Sequence, residues 1–209
     1  FILDEIVTGF RLSSGGAASR YNLDPDLFTL GKIVGGGMPV GVVCGRKELL
    51  TLADFNALDR KYSKCAIGGG TYSCNPLTMV AGLTTIKYLE KNKNILYQRI
   101  NELGERVRSG LTKIFMEGKI DVQVTGEGSL FLTHFLNDKV RRIRDALDVA
   151  TCDQQQLFKY HMALMALHRI FFLPSKMGAI SFAHTDSDIT RLLRATQSIV
   201  DSGILSTRS

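Results

Sequence analysis

The sequence contains few of the residues that build metal sites and disulfides. Its 209 residues include four cysteines, at positions 44, 65, 74 and 152, and these form no C-x-x-C pair. His161 and His168 lie on one predicted helical stripe with no carboxylate between them in a metal-binding pattern. We therefore expect no metal site, histidines that are satisfied or at the surface, and reduced thiols of the kind found in cytoplasmic proteins.

Long apolar runs are also absent. No segment has the roughly 20 apolar residues that span a bilayer, and no basic stretch followed by an apolar run opens the chain. The net charge of +6 comes from basic residues spread along the chain, with one cluster at 141–144, RRIR. This distribution favours a solvated surface over a nucleic-acid site. We expect a soluble, cytoplasmic protein with neither a membrane nor a nucleic-acid partner.

Three short apolar runs near the start of the sequence predict neighbouring buried strands. The first run ends at Asp4, the second, residues 27–30, is followed closely by Lys32, and the third covers residues 40–44. In α/β sheets the ends of the strands are the usual place for chemistry. The pattern therefore predicts a carboxylate and an amine at the tips of adjacent strands.

Two known chemistries use an acid and a lysine in such positions. Nucleotide hydrolysis of the Walker type needs a glycine loop before the lysine and a hydroxyl after it, whereas here the glycines follow Lys32 and Ile33 takes the hydroxyl position. Pyridoxal phosphate (PLP) chemistry uses a lysine that forms a Schiff base and an acid that pairs with the pyridinium nitrogen. The order of residues favours PLP chemistry, with nucleotide hydrolysis as the remote alternative.

Three motifs carry a resemblance to a known family. The segments DEIVTGFR, PDLFTLGKIVGGGMPVG and GGGTYSCNP occur in this order at the start of the chain. They resemble the class III aminotransferases of the fold-type I PLP family, with the glutamate-1-semialdehyde 2,1-aminomutases as the nearest branch. The resemblance extends along nearly the whole chain.

The resemblance implies a role for each site residue. Lys32 would be the Schiff-base lysine that forms the internal aldimine and then shuttles the proton, Asp4 would pair with the pyridine nitrogen, and Ile6 would lie against the cofactor ring. The glycine-rich loop ending in Gly70 and Thr71 suits phosphate contact through amide N–H groups and a hydroxyl. The resemblance implies that Thr71 reaches the cofactor of a neighbouring subunit, and therefore a homodimer.

The predicted fold follows from the same motifs. We expect an α/β protein that comprises part of a fold-type I PLP-transferase large domain, a three-layer α/β/α sheet, followed by a small α+β domain. The first domain would cover residues 1–110, including a bridging helix, and the small domain residues 111–209. Because residue 1 already lies in a predicted buried strand, the chain is expected to be the carboxyl-terminal half of such an enzyme.

Local signals predict further elements. Residues 12–22 and 55–70 are expected to be loops, and 46–52 a short helix. A second amphipathic helix is predicted over 96–114, and Asn75-Pro76 predicts the start of an earlier helix whose buried face comprises Leu77, Val80, Ala81, Thr84 and Tyr88. The rest of the chain is predicted to form an antiparallel pair over 120–135, a helix over 154–168, short strands at 171–174 and 179–183, and a helix after the capping box at 185–188.

One departure from the branch concerns the substrate. Aminomutases of this branch tend to carry Glu-Ala-Gly-Phe between their Pro-Ser and Ala-His segments, whereas residues 174–179 read PSKMGA, without a glutamate. A transaminase acting on another small amino acid or amine is therefore at least as consistent with the sequence as an aminomutase. A further alternative is that the isolated chain is an inactive fragment of such an enzyme.

Overall fold

The computed structural model describes residues 1–51 and 70–205, which form two compact units. The first unit covers Phe1–Tyr97 and the second Gln98–Ser209. The loop predicted over 55–70 lies outside the described residues except for Gly70. Among the helices that are described, none combines the length and apolar character needed to cross a membrane.

A three-stranded sheet organises the first unit. Its strands are β1 (Ile2–Asp4), β2 (Leu27–Gly31) and β3 (Gly41–Gly45), in the order β1-β2-β3. β1 pairs parallel with β2, and β2 pairs antiparallel with β3. The three predicted strands are thus confirmed, but the prediction that they are buried is wrong, since β2 is mostly half-buried and both β1 and β3 carry exposed side chains. Ile2 of β1 is 66% exposed and Val43 of β3 is 57% exposed, because the described residues leave these side chains uncovered on the faces of the sheet.

The connection from β1 to β2 contains a helix that the sequence did not predict. Residues 12–22 were expected to be a loop, yet α1 (Gly16–Tyr21) lies within them. No residue at its amino terminus supplies a side-chain cap. The first turn is instead capped by the side chain of Glu5, which is distant in sequence. The predicted short helix after β3 is confirmed as α2 (Lys47–Leu50).

A single helix of 42 residues, α3 (Pro76–Glu117), replaces the two helices predicted over this region. Its predicted start is confirmed, because the Asn75 side chain accepts hydrogen bonds from the N–H groups of Leu77 and Thr78 at 3.0 and 3.3 Å. The prediction of which face is buried near this start is wrong. Leu77 and Val80 are each 63% exposed, whereas Thr78 and Gly82 are buried.

The second unit packs helices against a separate antiparallel sheet. The strands are β4 (Val122–Thr125), β5 (Leu130–Phe135) and β6 (Gly178–Ala179), in that order. The helices after β5 are α4 (Ala146–Thr151), α5 (Gln154–His168) and α6 (Asp186–Asp201).

Most of these elements were predicted from local signals. The pair β4–β5, the bounds of α5 and the capping box of Thr185 and Asp188 at the start of α6 are confirmed. Residues 171–174 do not form the predicted strand, and the strand predicted over 179–183 is reduced to β6.

The core of the second unit is apolar and aromatic. Leu103, Val107, Leu111 and Phe115 of α3 are fully buried in it. The ring of Phe115 meets those of Phe135 and Tyr160 edge to face, with centroids 5.6 and 5.5 Å apart. Such pairs stabilise a core beyond the area they bury.

His161 is part of this core and is satisfied there, as predicted. Its ring stacks on Phe172 with centroids 4.9 Å apart, and its Nδ1 accepts a hydrogen bond from the Ser175 N–H at 3.1 Å. Burial lowers the pKa of His161 to about 4, and burial also lowers the pKa of His134. Both imidazoles are therefore neutral in the folded protein at neutral pH.

We predict that acid weakens the fold through His161. The unfolded chain takes up a proton near the ordinary histidine pKa, whereas folded His161 does so only near pH 4. Stability is therefore lost as the pH falls from about 6.5 toward 4, by about 1–2 kcal/mol at pH 5. Chemical denaturation at pH 7 and pH 5 measures this loss. The loss should shrink in His161→Gln but not in His168→Gln; equal losses in both variants would contradict the prediction.

Candidate functional site

The carboxyl ends of β1 and β2 meet at one edge of the sheet in the first unit. The parallel register pairs Asp4 with Thr29, and the Glu5 N–H donates to the Thr29 carbonyl at 3.0 Å. Gly31 ends β2 and Lys32 follows it. From the strand rise, the Cα atoms of Asp4 and Lys32 are on the order of 10 Å apart. The fold thus brings to one edge the acid and the amine that the sequence predicted there.

Asp4 holds its carboxylate at the tip of β1. Oδ1 accepts hydrogen bonds from the Ile6 N–H at 2.9 Å and from the Thr29 hydroxyl at 3.3 Å. Oδ2 accepts none from the described residues, and the side chain is exposed rather than buried as the sequence suggested. One oxygen is therefore fixed by the protein while the other is available to an external donor.

Ile6 connects the two strand tips. A Cβ atom placed on Gly31 would lie 3.4 Å from Cγ2 of Ile6, so the Ile6 side chain rests directly over the end of β2. Ile6 is half-buried. An apolar side chain thus lies beside the backbone that presents Lys32.

Lys32 stands in an unusual backbone conformation. Its φ of 51° lies in the left-handed region, which a residue with a side chain adopts at a cost of about 1–2 kcal/mol. The side chain is exposed and makes no hydrogen bond or ion pair with the described residues. Strained backbone of this kind concentrates at functional sites, where the surrounding structure over-determines it.

Close packing against α3 fixes the turn that carries Lys32. Residues Lys32–Gly35 form a 3-10 turn, and Gly36 follows with a φ of 60°. A Cβ atom on Gly36 would lie 2.5 Å from the Ala81 carbonyl oxygen, and one on Gly82 would lie 2.5 Å from that of Val34. Only glycine allows this approach of helix and turn.

Gly70 and Thr71 lie beside the start of β3 in the first unit. Both are exposed, and they line a cavity of about 600 Å³ together with the start of β3. The residues that line this cavity do not include Asp4, Ile6 or Lys32. They do include Gly41, which pairs with Gly31, the residue before Lys32. The role predicted for Thr71 is at the cofactor of a neighbouring subunit. That role stays a prediction.

Glu5 is the residue whose importance the sequence analysis missed. It is 2% exposed, and its carboxylate accepts hydrogen bonds from the N–H groups of Ala17 and Ala18 at 3.0 and 2.7 Å. Side chains alternate along a strand, so Asp4 and Glu5 point to opposite faces of the sheet. That alternation was the available signal that the second acid turns inward.

The described residues contain no group of three metal-ligating side chains. Burial raises the pKa of the Cys44 thiol, which makes this cysteine a poor nucleophile. The chemically available groups at the strand ends are thus a carboxylate and an amine.

The sequence matches a known family over most of its length. The family profile for aminotransferase class-III covers residues 1–161. The chain belongs to the class III aminotransferases. Membership in this family argues against the nucleotide-hydrolase alternative, which requires a different glycine loop.

Two similar curated proteins are named as glutamate-1-semialdehyde 2,1-aminomutases. The chain is 38% identical over 200 residues to glutamate-1-semialdehyde 2,1-aminomutase from Chloroflexus aggregans, covering 94% of this chain and 44% of that protein. It is 39% identical over 190 residues to glutamate-1-semialdehyde 2,1-aminomutase 2 from Lachnoclostridium phytofermentans, covering 90% and 42%. The chain thus spans about 44% of the length of the curated relatives that it matches.

Solved structures of aminotransferases have the same fold. An ω-transaminase from Sphaerobacter thermophilus superposes with a TM-score of 0.79 at 30% identity, covering 96% of this chain and 43% of that one. A transaminase with PLP bound gives a TM-score of 0.77 at 25% identity, covering 97% and 44%. The predicted partial fold-type I architecture and the predicted family are confirmed.

We predict that Gly82→Ala destabilises the protein and disturbs Lys32. The new methyl group would clash with the Val34 carbonyl, and neither backbone segment can yield without moving the turn. We expect a loss of about 1–3 kcal/mol in the free energy of unfolding, measured by chemical denaturation. Gly41→Ala is the control, because a Cβ atom there meets nothing within 4 Å. Equal stability of the two variants would show that the close approach is unimportant.

Proposed function

We propose that this chain forms part of a PLP-dependent enzyme that transfers an amino group, with Lys32 as the residue that binds the cofactor covalently. The observation that supports this most directly is the juxtaposition of Asp4 and Lys32 at the ends of neighbouring parallel strands. Membership in the class III aminotransferases supports it independently.

Asp4 fits the position of the acid that pairs with a pyridine nitrogen. Its Oδ1 is held by Ile6 and Thr29, which leaves Oδ2 to accept a hydrogen bond from the ring N–H. A charge-assisted hydrogen bond of this kind is worth about 1.5–3 kcal/mol. It would keep the nitrogen of a bound ring protonated. Ile6, beside Gly31, would lie against the ring.

Lys32 would carry the proton during the reaction. PLP, when bound, supplies an electron sink for the negative charge that forms at the substrate Cα. Once free, the Lys32 amine would take a proton from the substrate Cα and would later return one. An amine must be neutral to accept the proton from Cα, and a pocket that excludes water favours the neutral form.

The cofactor phosphate would be held from a second subunit. We propose that Gly70 and Thr71 contact the phosphate of the partner's cofactor through N–H groups and a hydroxyl. The exposure of both residues, which leaves them accessible to a second subunit, supports this role. It requires at least a homodimer, which we propose to act in the cytoplasm.

The substrate is proposed to be a small amino acid or amine. The aminomutase name of the curated relatives favours glutamate-1-semialdehyde. The absence of a glutamate from 174–179 and the likeness to an ω-transaminase favour transfer between separate donor and acceptor molecules. Assays with both kinds of substrate on the natural gene product distinguish the two.

The isolated 209 residues are a separate case. The Asp4 and Lys32 side chains are both exposed, whereas amino transfer needs a site that excludes water from the reacting groups. We therefore propose that this chain alone is inactive. Addition of PLP to the isolated chain, followed by borohydride reduction and mass analysis of Lys32, tests whether it still binds the cofactor.

The decisive prediction concerns Lys32. In the natural gene product, Lys32→Ala should abolish turnover and the cofactor adduct trapped by borohydride, because Lys32 is the amine that the described residues place at the carboxyl ends of β1 and β2. Amino-transfer assays and peptide mass mapping measure the two effects. Lys159→Ala on α5 is the matched control, since this exposed lysine makes no ion pair with the described residues. Retained activity in Lys32→Ala would overturn the proposal.

Asp4 gives a second prediction. Asp4→Asn should retain part of the bound cofactor but lose roughly 100-fold in kcat, the equivalent of about 3 kcal/mol of lost charge stabilisation. Steady-state kinetics and the visible absorbance of the bound cofactor measure this. Asp138→Asn, at an exposed turn in the second unit, should behave like the unsubstituted protein. A near-normal kcat in Asp4→Asn would remove Asp4 from its role.

A further inference from the structure

Glu5 is a buried carboxylate directly beside the proposed cofactor acid. Only 2% of it is exposed, and acidic side chains are rarely buried unless they are paired. None of the described ion pairs involves Glu5. The negative charge is instead compensated by hydrogen-bond donors of the segment that follows β1.

Three donors converge on this carboxylate. Oε2 accepts from the Ala17 N–H at 3.0 Å and from the Thr8 hydroxyl, and Oε1 accepts from the Ala18 N–H at 2.7 Å. The two N–H groups belong to the first turn of α1, whose dipole favours a negative charge at this end. Hydrogen bonds to an ionised acceptor are about twice as strong as those between neutral groups.

Gly16 leaves the space that this carboxylate occupies. A Cβ atom at this position would lie 2.6 Å from both Glu5 oxygens, and the φ of 63° also favours glycine. The main chain of Glu5 is held as well. Its N–H donates to Thr29 O at 3.0 Å, and its carbonyl accepts from Gly9 N at 2.8 Å. Hydrogen bonds therefore hold the backbone N–H, the backbone carbonyl and the side chain of Glu5.

We propose that Glu5 is a positioning residue for the amino-transfer reaction, because it fixes the peptide groups that orient Asp4 and Ile6. Asp4 Oδ1 depends on the Ile6 N–H, which is the amide immediately after Glu5. If the Glu5 side chain lost its anchors, the backbone from residue 4 to residue 6 could rotate, and Asp4 would lose its orientation toward the ring. This inference rests on the role proposed above for Asp4.

Two variants release the same anchor in different ways. Glu5→Gln keeps the shape but places an amide NH₂ group where one N–H donor must be accepted. Gly16→Ala keeps the carboxylate and displaces it sterically. Hydrogen exchange at the Ala17 and Ala18 amides reports release of the anchor without any dependence on the cofactor. At least one variant should show exchange that is faster by tenfold or more.

The effect of these substitutions on the proposed site is measured with the natural gene product loaded with PLP. We expect kcat to fall about tenfold or more in the released variant, with KM for the amino donor changed less than about threefold. The midpoint of the pH titration of the cofactor's visible absorbance should move in the same direction as in Asp4→Asn, by a smaller amount. The control is Tyr160→Phe, which removes the buried 2.7 Å hydrogen bond to Thr196 in the second unit.

Each outcome decides a separate question. If the Ala17 and Ala18 amides are released but kcat and the titration match those of Tyr160→Phe, then Glu5 is only structural and the inference fails. If neither variant releases these amides, Glu5 does not fix the segment and the inference also fails. If Asp4→Asn itself has a normal kcat and titration, the proposed function fails, and the inference with it.

Discussion

The parallel pairing of β1 with β2 is the constraint on which the proposed site depends. Its register sets Asp4 opposite Thr29 and leaves Lys32 just beyond the end of the neighbouring strand. A slip of one residue would turn Asp4 to the opposite face of the sheet and bring Glu5 to the face where Asp4 now lies. The buried contacts of Glu5 oppose that slip, since an uncompensated carboxylate would otherwise be left on the wrong side.

The second constraint is the close approach of α3 to the turn after β2. Gly36 and Gly82 allow two backbones to come together where any side chain would separate them. Helix, turn and strand end thus form one packed set of elements around Lys32. The turn's position is determined by packing rather than by the local preference of its residues.

Local signals were enough to predict many elements. The Asn75-Pro76 helix start, the bounds of α5 and the capping box at Thr185 depend on neighbouring residues alone, and each is confirmed. The juxtaposition of Asp4 and Lys32 was also predictable, because the strand-end rule needs only the order of apolar runs. Their roles toward a cofactor are not decided by this placement.

The failures share a different origin. α1 was missed because its cap is Glu5, which lies more than ten positions earlier in the chain. The wrong face of α3 was predicted to be buried because periodicity gives the spacing of apolar residues but not their partners. Leu77 and Val80 lie on the exposed side, and the packed side carries Thr78 and Gly82. In both cases long-range packing decided the outcome.

The left-handed backbone at Lys32 has a consequence for the engineering of this protein. Glycine adopts a φ near 51° without strain, so selection for thermal tolerance alone would favour its appearance at this position. The same selection would discard the amine. Screens for stable variants of this chain should therefore keep Lys32 unchanged, because glycine favours stability at this position whereas the proposed chemistry needs the amine.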